Sequence, residues 1–316
     1  MEDKIIVSII IPTYKSQDVI FRLCEEIFKV LKDYKNEIII VNDCSPDNTH
    51  AECLKIFNKY PDQITYIKLR KNVGEHNSIM AGINNSNGEW SLIIDDDFQN
   101  SPSEALKLIN YALNNTYDVV YGDYKKKKHF FLRNFFSKIN DKSANFLLRK
   151  SKGLYLSSFK IINKKIIKEI IKYKGPFPYL DGLILNYTSN INSIKTEHNK
   201  RNTGSSGYTY KKLLSLYGNL ITNFSTVPIH IFSIAGLFIV LISGIYGIAT
   251  IIEKIIDPTL PVGYSSIILA IIFFSGIQLL FLGLIGEYVG KILKNVNNEP
   301  QYSIELIKKE TSENKY

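Results

Sequence analysis

Ile5-Ile6-Val7-Ser8-Ile9-Ile10-Ile11-Pro12-Thr13-Tyr14, answered after one helical stretch by Glu37-Ile38-Ile39-Ile40-Val41-Asn42-Asp43, decides the fold. Each run is short, apolar and β-branched, and each closes on polar residues. Gln17 to Leu31, between them, reads as a helix. The pattern continues outward. Ile64 to Leu69, Trp90 to Ile94 and Asp118 to Tyr121 read as strands, and Thr49 to Asn58, Glu75 to Asn84 and Ser103 to Asn114 as helices. Strands alternating with helices predict an α/β domain on a doubly wound, mostly parallel sheet covered on both faces. Ligands of such sheets bind beyond the carboxyl ends of the strands. Polar residues gather at those ends: Pro12-Thr13-Tyr14, Asn42-Asp43-Cys44-Ser45, Asn72-Val73-Gly74 and Asp95-Asp96-Asp97-Phe98-Gln99. The absence of a P-loop and of a Gly-x-Gly-x-x-Gly fingerprint argues against a Walker NTPase and a Rossmann dehydrogenase.

The remainder of the 316-residue chain is of another kind. Val227 to Ile252 and Pro258 to Gly286 contain no Asp, Glu, Lys or Arg. Each run exceeds the roughly 20 apolar residues needed to cross a bilayer. The expectation is a C-terminal two-helix transmembrane hairpin over 226–290, with spans at about 227–252 and 264–286. A catalytic domain over 1–225 precedes it and a tail over 291–316 follows. No signal peptide is read at the N-terminus, and Lys211, Lys212, Lys291 and Lys294 flank the spans. By the positive-inside rule the protein is expected in the cytoplasmic membrane, multi-pass, with both termini and the catalytic domain cytoplasmic.

The formal charge of +9 could suggest nucleic acid. The basic residues, however, mix with Phe and Leu beside the spans, so anionic membrane lipid is the expected partner and nucleic acid is not. Residues 125–152 read as a basic amphipathic segment lying on the membrane interface, or as a packed surface helix with a solvated Lys face. Cys24, Cys44 and Cys53 have no metal-ligand spacing and read as reduced structural thiols.

Asp95 and Asp97 stand at alternate positions just after a buried strand, where two carboxylates repel unless a cation lies between them. Hard oxygen ligands on one short turn suit Mg²⁺ or Mn²⁺ bridging nucleotide phosphates. The alternative is an acidic turn capping the following helix. Asp43 could accept from a base N–H or a ribose hydroxyl, or form an Asx-type turn, a duty that fits Asp47 better. Arg201, before Asn202-Thr203-Gly204, could clamp a pyrophosphate or lie as a surface Arg near lipid headgroups.

These pieces together resemble the family-two glycosyltransferases of the polyisoprenyl-phosphate type. They are Ile9-Ile10-Ile11-Pro12-Thr13-Tyr14, Val41-Asn42-Asp43-Cys44-Ser45, Asn72-Val73-Gly74, Asp95-Asp96-Asp97-Phe98-Gln99 with Pro102, Arg201 to Tyr208 and Gly286-Glu287-Tyr288-Val289-Gly290-Lys291. They occur in family order and cover nearly the whole chain. The resemblance implies a GT-A fold and inverting transfer of a sugar from a nucleotide donor, commonly a UDP-sugar, onto undecaprenyl or another polyisoprenyl phosphate. It implies that Asp43 contacts the base, with Thr13 and Tyr14 lining its pocket. Pro12, Asn72 and Asp96 belong to the same donor-binding motifs, and Gln99 lies near the metal held by Asp95 and Asp97. Arg201 faces the phosphates. Relatives that form tetramers make a homo-oligomer an expectation.

One departure is clear. Where many relatives have Gly-Asp-Phe and a basic residue, this chain has Ser157-Ser158-Phe159-Lys160. Lys160 is a candidate for the acceptor phosphate, or a solvated surface Lys. Asp181 is a candidate base or acceptor-site group, or a helix N-cap. Catalysis is then expected to be electrostatic, with Asp97, Asp181 and Arg201 as the catalytic candidates. Two competing readings are a membrane transferase with a hydroxyl-bearing glycolipid acceptor, and a catalytically silent membrane scaffold that binds nucleotide sugars.

Overall fold

The computed structural model describes residues 5–124, 154–197 and 263–310, and a few isolated helical positions between 238 and 256. Two compact units emerge: Met1–Gly207 with Asn298–Tyr316, and Tyr208–Asn297.

The first unit is built on one eight-stranded sheet. Its strands are β1 (Val7–Thr13), β2 (Asn36–Asn42), β3 (Ile64–Leu69), β4 (Trp90–Ile93), β5 (Val119–Tyr124), β6 (Lys160–Asn163), β7 (Ile191–Thr196) and β8 (Ile304–Lys308). They lie in the order β7-β5-β6-β4-β1-β2-β3-β8. The central strands read as continuous apolar runs because both their faces are covered. Side chains alternate sides along a strand, so each run splits between two cores. Ile9, Ile11, Ile38, Ile40 and Leu92 pack with α1 (Ile20–Val30), α2 (Thr49–Lys59) and α4 (Pro102–Leu113). Ile10, Ile39, Val41 and Ile93 face the other way. They meet α3 (Glu75–Asn84), α5 (Lys164–Ile170) and α6 (Leu180–Tyr187). Gly82 lets α3 lie directly on β1, because a Cβ there would collide with Ile10.

β1 to β4 are mutually parallel, as the strand–helix alternation requires. The sheet is nevertheless mixed: β6 is antiparallel to both β4 and β5, and β8 is antiparallel to β3. Neither strand was read from the sequence. Lys160-Ile161-Ile162-Asn163 is too short to signal a strand, and Ile304–Lys308 alternates with charged residues as edge strands do.

In the second unit, α7 (Tyr264–Val296) runs 33 residues, or about 50 Å. Ile267, Ile271, Leu279, Leu282 and Ile285 are exposed along it. Counted over described side chains alone, no helix is long and apolar enough to cross a membrane. Most of the expected span over 227–252, the interface segment over 125–152 and the loop bearing Arg201 lie outside the described residues.

Candidate active site

The carboxyl ends of β1, β2 and β4 carry three non-glycine residues with left-handed backbone: Lys15, Cys44 and Phe98, at φ 59°, 53° and 58°. Such conformations cost free energy and persist where surrounding structure enforces them, often at functional sites. Phe98 is held by the Arg22 guanidinium, 4.4 Å from its ring centre. That turn fixes where the flanking acids point.

The three consecutive acids do three different things. Asp95 accepts from the Ser158 hydroxyl at 2.6 Å. Asp97 accepts from the Gln99 backbone N–H at 3.0 Å. Neither caps α4, whose N-cap is Ser101, accepting from the Glu104 N–H. The capping alternative is thereby removed. Asp96 faces inward, accepting from the Ser16 hydroxyl and, at 3.3 Å, from the Tyr14 N–H. It therefore ties the end of β4 to the loop after β1. Burial pushes its carboxyl up to about 7, with Asp95 and Asp97 adding to the effect and Ser16 opposing it.

Asp43 is buried and accepts from the Val73 N–H at 2.7 Å and the Gly74 N–H at 2.9 Å. Burial raises its pKa against the lowering effect of these bonds. The Asn72 amide donates to the Asp43 carbonyl at 3.2 Å, so the β2 and β3 ends form one braced rim. The Thr13 hydroxyl turns back to the Val41 carbonyl, and Pro12 lies within β1, paired with Val41. Tyr14 stays exposed at the mouth. The Asx turn before α2 belongs to Asp47, which accepts from the Thr49 N–H and hydroxyl.

On the far side of Asp95 lies a buried ion pair. Lys160 sits beside Tyr121 and Ile93 in the strand register, and its ammonium reaches Asp181 on α6. Tyr121 donates its hydroxyl to the same carboxylate oxygen at 2.8 Å. Only 2% of the Lys160 side chain is exposed, which disposes of the solvated-lysine alternative. Asp181 is likewise not an N-cap: that position is Tyr179, and Asp181 lies in the first turn facing the ammonium. An acceptor phosphate could use Lys160 only by sharing it with Asp181. Asp95, Asp97, Asp96, Gln99 and Tyr14 thus form one cluster, and Lys160 and Asp181 another beside it.

Sequence reading missed Ser16, Tyr121, Ser158 and above all Glu75. Glu75 opens α3, where an acid reads simply as a favourable helix-dipole residue. It feels Asp95, Lys160, Asp181 and Asp96, and its carboxyl is pushed up to about 7, first by the surrounding walls and then by Asp95. His76, next to it, stacks edge-on to Tyr179 at 5.3 Å.

The acidic turn at the end of β4 and the braced carboxylate rim at β2 thus gather at the carboxyl ends of a mixed α/β sheet. The chain belongs to glycosyltransferase family 2, whose model matches residues 8–171, just over half of it. A second model, the GtrB C-terminal hairpin, matches residues 227–292. The undecaprenyl-phosphate 4-deoxy-4-formamido-L-arabinose transferase of Proteus mirabilis is 27% identical over 305 residues, covering 95% of this chain and 93% of that one. The enzyme of the same name from Serratia proteamaculans is 29% identical over 306 residues, at 95% and 93% coverage. Among solved structures, glucosyl-3-phosphoglycerate synthase of Mycobacterium tuberculosis aligns at a TM-score of 0.49 with 13% identity. It covers 69% of this chain and 80% of that one, a likeness too loose to carry residue roles.

Proposed function

We propose that this glycosyltransferase moves a sugar from a nucleotide donor, a UDP-sugar first among them, onto undecaprenyl or a related polyisoprenyl phosphate at the cytoplasmic membrane face. The observation that carries the reading is the Asp95/Asp97 turn, opening at a strand end beside the Lys160–Asp181 pair. Relatives named for transfer to undecaprenyl phosphate align along 95% of the chain, which supports the choice of acceptor.

The donor set at the turn suits a divalent metal. Among the described residues no group of three or more acidic, His or Cys side chains forms a closed cage. Two carboxylates would hold Mg²⁺ or Mn²⁺ with open positions for donor phosphates and water. Once bound, the ion would offset charge on the departing nucleoside diphosphate. The protein's own contribution is positional. Asp96 fixes the loop bearing Tyr14, and Asp43 aims the start of α3. Asp43 meets the base through oxygen lone pairs that its two backbone bonds leave over, and Tyr14 offers a ring for it. The reading also assigns Arg201, outside the described residues, to the phosphates. A phosphate acceptor is already ionised near neutral pH, so Asp181 serves as an electrostatic group with Lys160.

The sheet also supports a hairpin topology. β8 follows α7 and pairs with β3, so residues before and after the apolar region belong to one hydrogen-bonded sheet. Whatever crosses the membrane between them does so an even number of times. Two apolar runs satisfy that condition, with 227–252 and 264–286 as the spans.

The test is a product assay with purified protein, undecaprenyl phosphate and radiolabelled nucleotide sugars, with Mg²⁺ or Mn²⁺ and with EDTA. Metal-dependent label in a lipid-phosphate product is the expected result. Label that reaches only a hydroxyl acceptor would overturn the reading.

A further inference from the structure

A distant part of the chain returns to the acidic turn and braces it. β6 runs antiparallel to both β4 and β5, with Lys160 opposite Ile93 on one side and Tyr121 on the other. The residues just before Lys160 therefore meet the chain just after Ile93, which is where Asp95 stands. Ser158 makes the contact: its hydroxyl donates to Asp95 Oδ2 at 2.6 Å, across a separation of 63 residues. That length belongs to the short, charge-assisted class of O–H···O⁻ bonds, which are roughly twice as strong as neutral ones.

The segment that carries Ser158 is held on both flanks. Phe159 is fully buried, and its carbonyl accepts from the Gly122 N–H at 3.0 Å and the Ser157 hydroxyl at 2.7 Å. Gly122 leaves no space between them, since a Cβ there would fall 2.5 Å from the Phe159 ring. On the next residue, Lys160 is locked by its buried ion pair with Asp181. With its neighbours pinned, Ser158 offers its one hydroxyl proton from a fixed place. Asp97, by contrast, is held from within its own turn, by the Gln99 N–H. An aspartate at a strand end otherwise chooses among several staggered side-chain rotamers. The bond from Ser158 selects one orientation of Asp95 before any ligand arrives.

We infer that Ser158 is a positioning residue, orienting the Asp95 carboxylate so that the acidic turn is ready-formed for a divalent cation. The inference rests on the proposed reading, in which Asp95 and Asp97 hold that cation. Groups that hydrogen-bond a metal's carboxylate ligands fix their orientation, and losing one typically costs about 10–100-fold in metal affinity. Ser158 acts through Asp95 and need touch neither donor nor acceptor.

Equilibrium dialysis of the full-length protein in detergent against Mn²⁺, with UDP present and with GDP in parallel, tests this. Wild type should hold a Mn²⁺ that Asp97→Asn does not. Ser158→Ala should weaken that site about 10–100-fold, whereas Ser158→Thr, which keeps the hydroxyl, should stay within about 3-fold of wild type. Ser158→Cys, a weak donor of similar shape, should lose affinity as the alanine variant does, and thermal melts register folding separately. Ser157→Ala removes the neighbouring hydroxyl, whose bond goes to Phe159, and should leave Mn²⁺ affinity unchanged. Wild-type affinity in Ser158→Ala would overturn the inference, as would an equal loss in Ser157→Ala or Ser158→Thr. In each of those cases the loss in Asp97→Asn would leave the transferase reading standing. If wild type holds no more Mn²⁺ than Asp97→Asn with either nucleotide, both the inference and the metal-dependent reading fall.

Discussion

The two ends of β1, β2 and β4 both bury carboxylates, and they solve the problem in opposite ways. At the amino end, Glu37 is 5% exposed. It accepts from the Ser8 hydroxyl at 2.6 Å, the Asn87 N–H at 2.7 Å and the Asn87 amide at 3.0 Å. Ser8 in turn accepts from the Gly88 N–H at 2.8 Å. The network closes on itself. At the carboxyl end, Asp95, Asp96, Asp97 and Glu75 crowd together beside three left-handed residues, and burial with mutual repulsion pushes Asp96 and Glu75 up to about 7. Buried polar groups that satisfy one another stabilise a fold, whereas a crowded set of like charges is tolerated where a ligand completes it. On the proposed reading, the difference separates structure from function within the same three strands.

Mutations at the two ends should therefore separate stability from activity. Asp97→Asn should lower kcat/KM about 10³-fold or more, roughly 4 kcal/mol. Its thermal midpoint should stay within about 2 °C, read by melting beside the transfer assay. A large fall in the midpoint instead would return the acidic turn to a structural role. Glu37→Ala should do the reverse. It strands a hydroxyl and an Asn amide, costs about 2–4 kcal/mol in urea unfolding, and leaves kcat per folded molecule unchanged.

The Lys160–Asp181 pair lies between these extremes. Asp181→Asn leaves a buried ammonium without its counter-charge and should cost about 3 kcal/mol, while Lys160→Met with Asp181→Leu should regain most of it. If phosphate is the acceptor, kcat in Asp181→Asn should fall less than about 10² -fold. A hydroxyl acceptor, which needs a base, would show a far larger loss.

The smallest effect concerns pH. His76 is lowered to about 4 by burial, so between that value and its ordinary 6.5 the unfolded chain binds a proton that the folded protein does not. Its contribution to stability is therefore present above pH 6.5 and lost as pH falls toward 4. Unfolding free energies from urea titrations at pH 7.5 and 5 should differ less in His76→Gln than in wild type, by about 1–2 kcal/mol. An unchanged slope would place His76 in a more solvated setting.

Much of this was legible in the residues. Apolar runs closing on polar residues announced β1 to β5, because strands covered on both faces must be apolar throughout. The alternate spacing of Asp95 and Asp97 directly after a buried strand marked the acidic turn. β6, β7 and β8 stayed hidden, since Lys160–Asn163 is too short for a pattern, Ile191–Thr196 is mostly polar and Ile304–Lys308 alternates like an exposed edge. Asp96 read as one more donor-site acid, and its contact with Ser16, 80 residues away, came only from the structure.

The sequence by itself determined the strand–helix order as far as β5, the polar strand ends and the apolar region beyond, since these depend on local periodicity and composition. Only the tertiary structure decided which charges meet. Lys160 and Asp181 are 21 residues apart and Glu75 is far from both along the chain, yet the register of β6 against β4 and β5 and the packing of α3 and α6 bring them to one face. Pairing between distant charges depends on distance in space, which no local pattern of residues encodes.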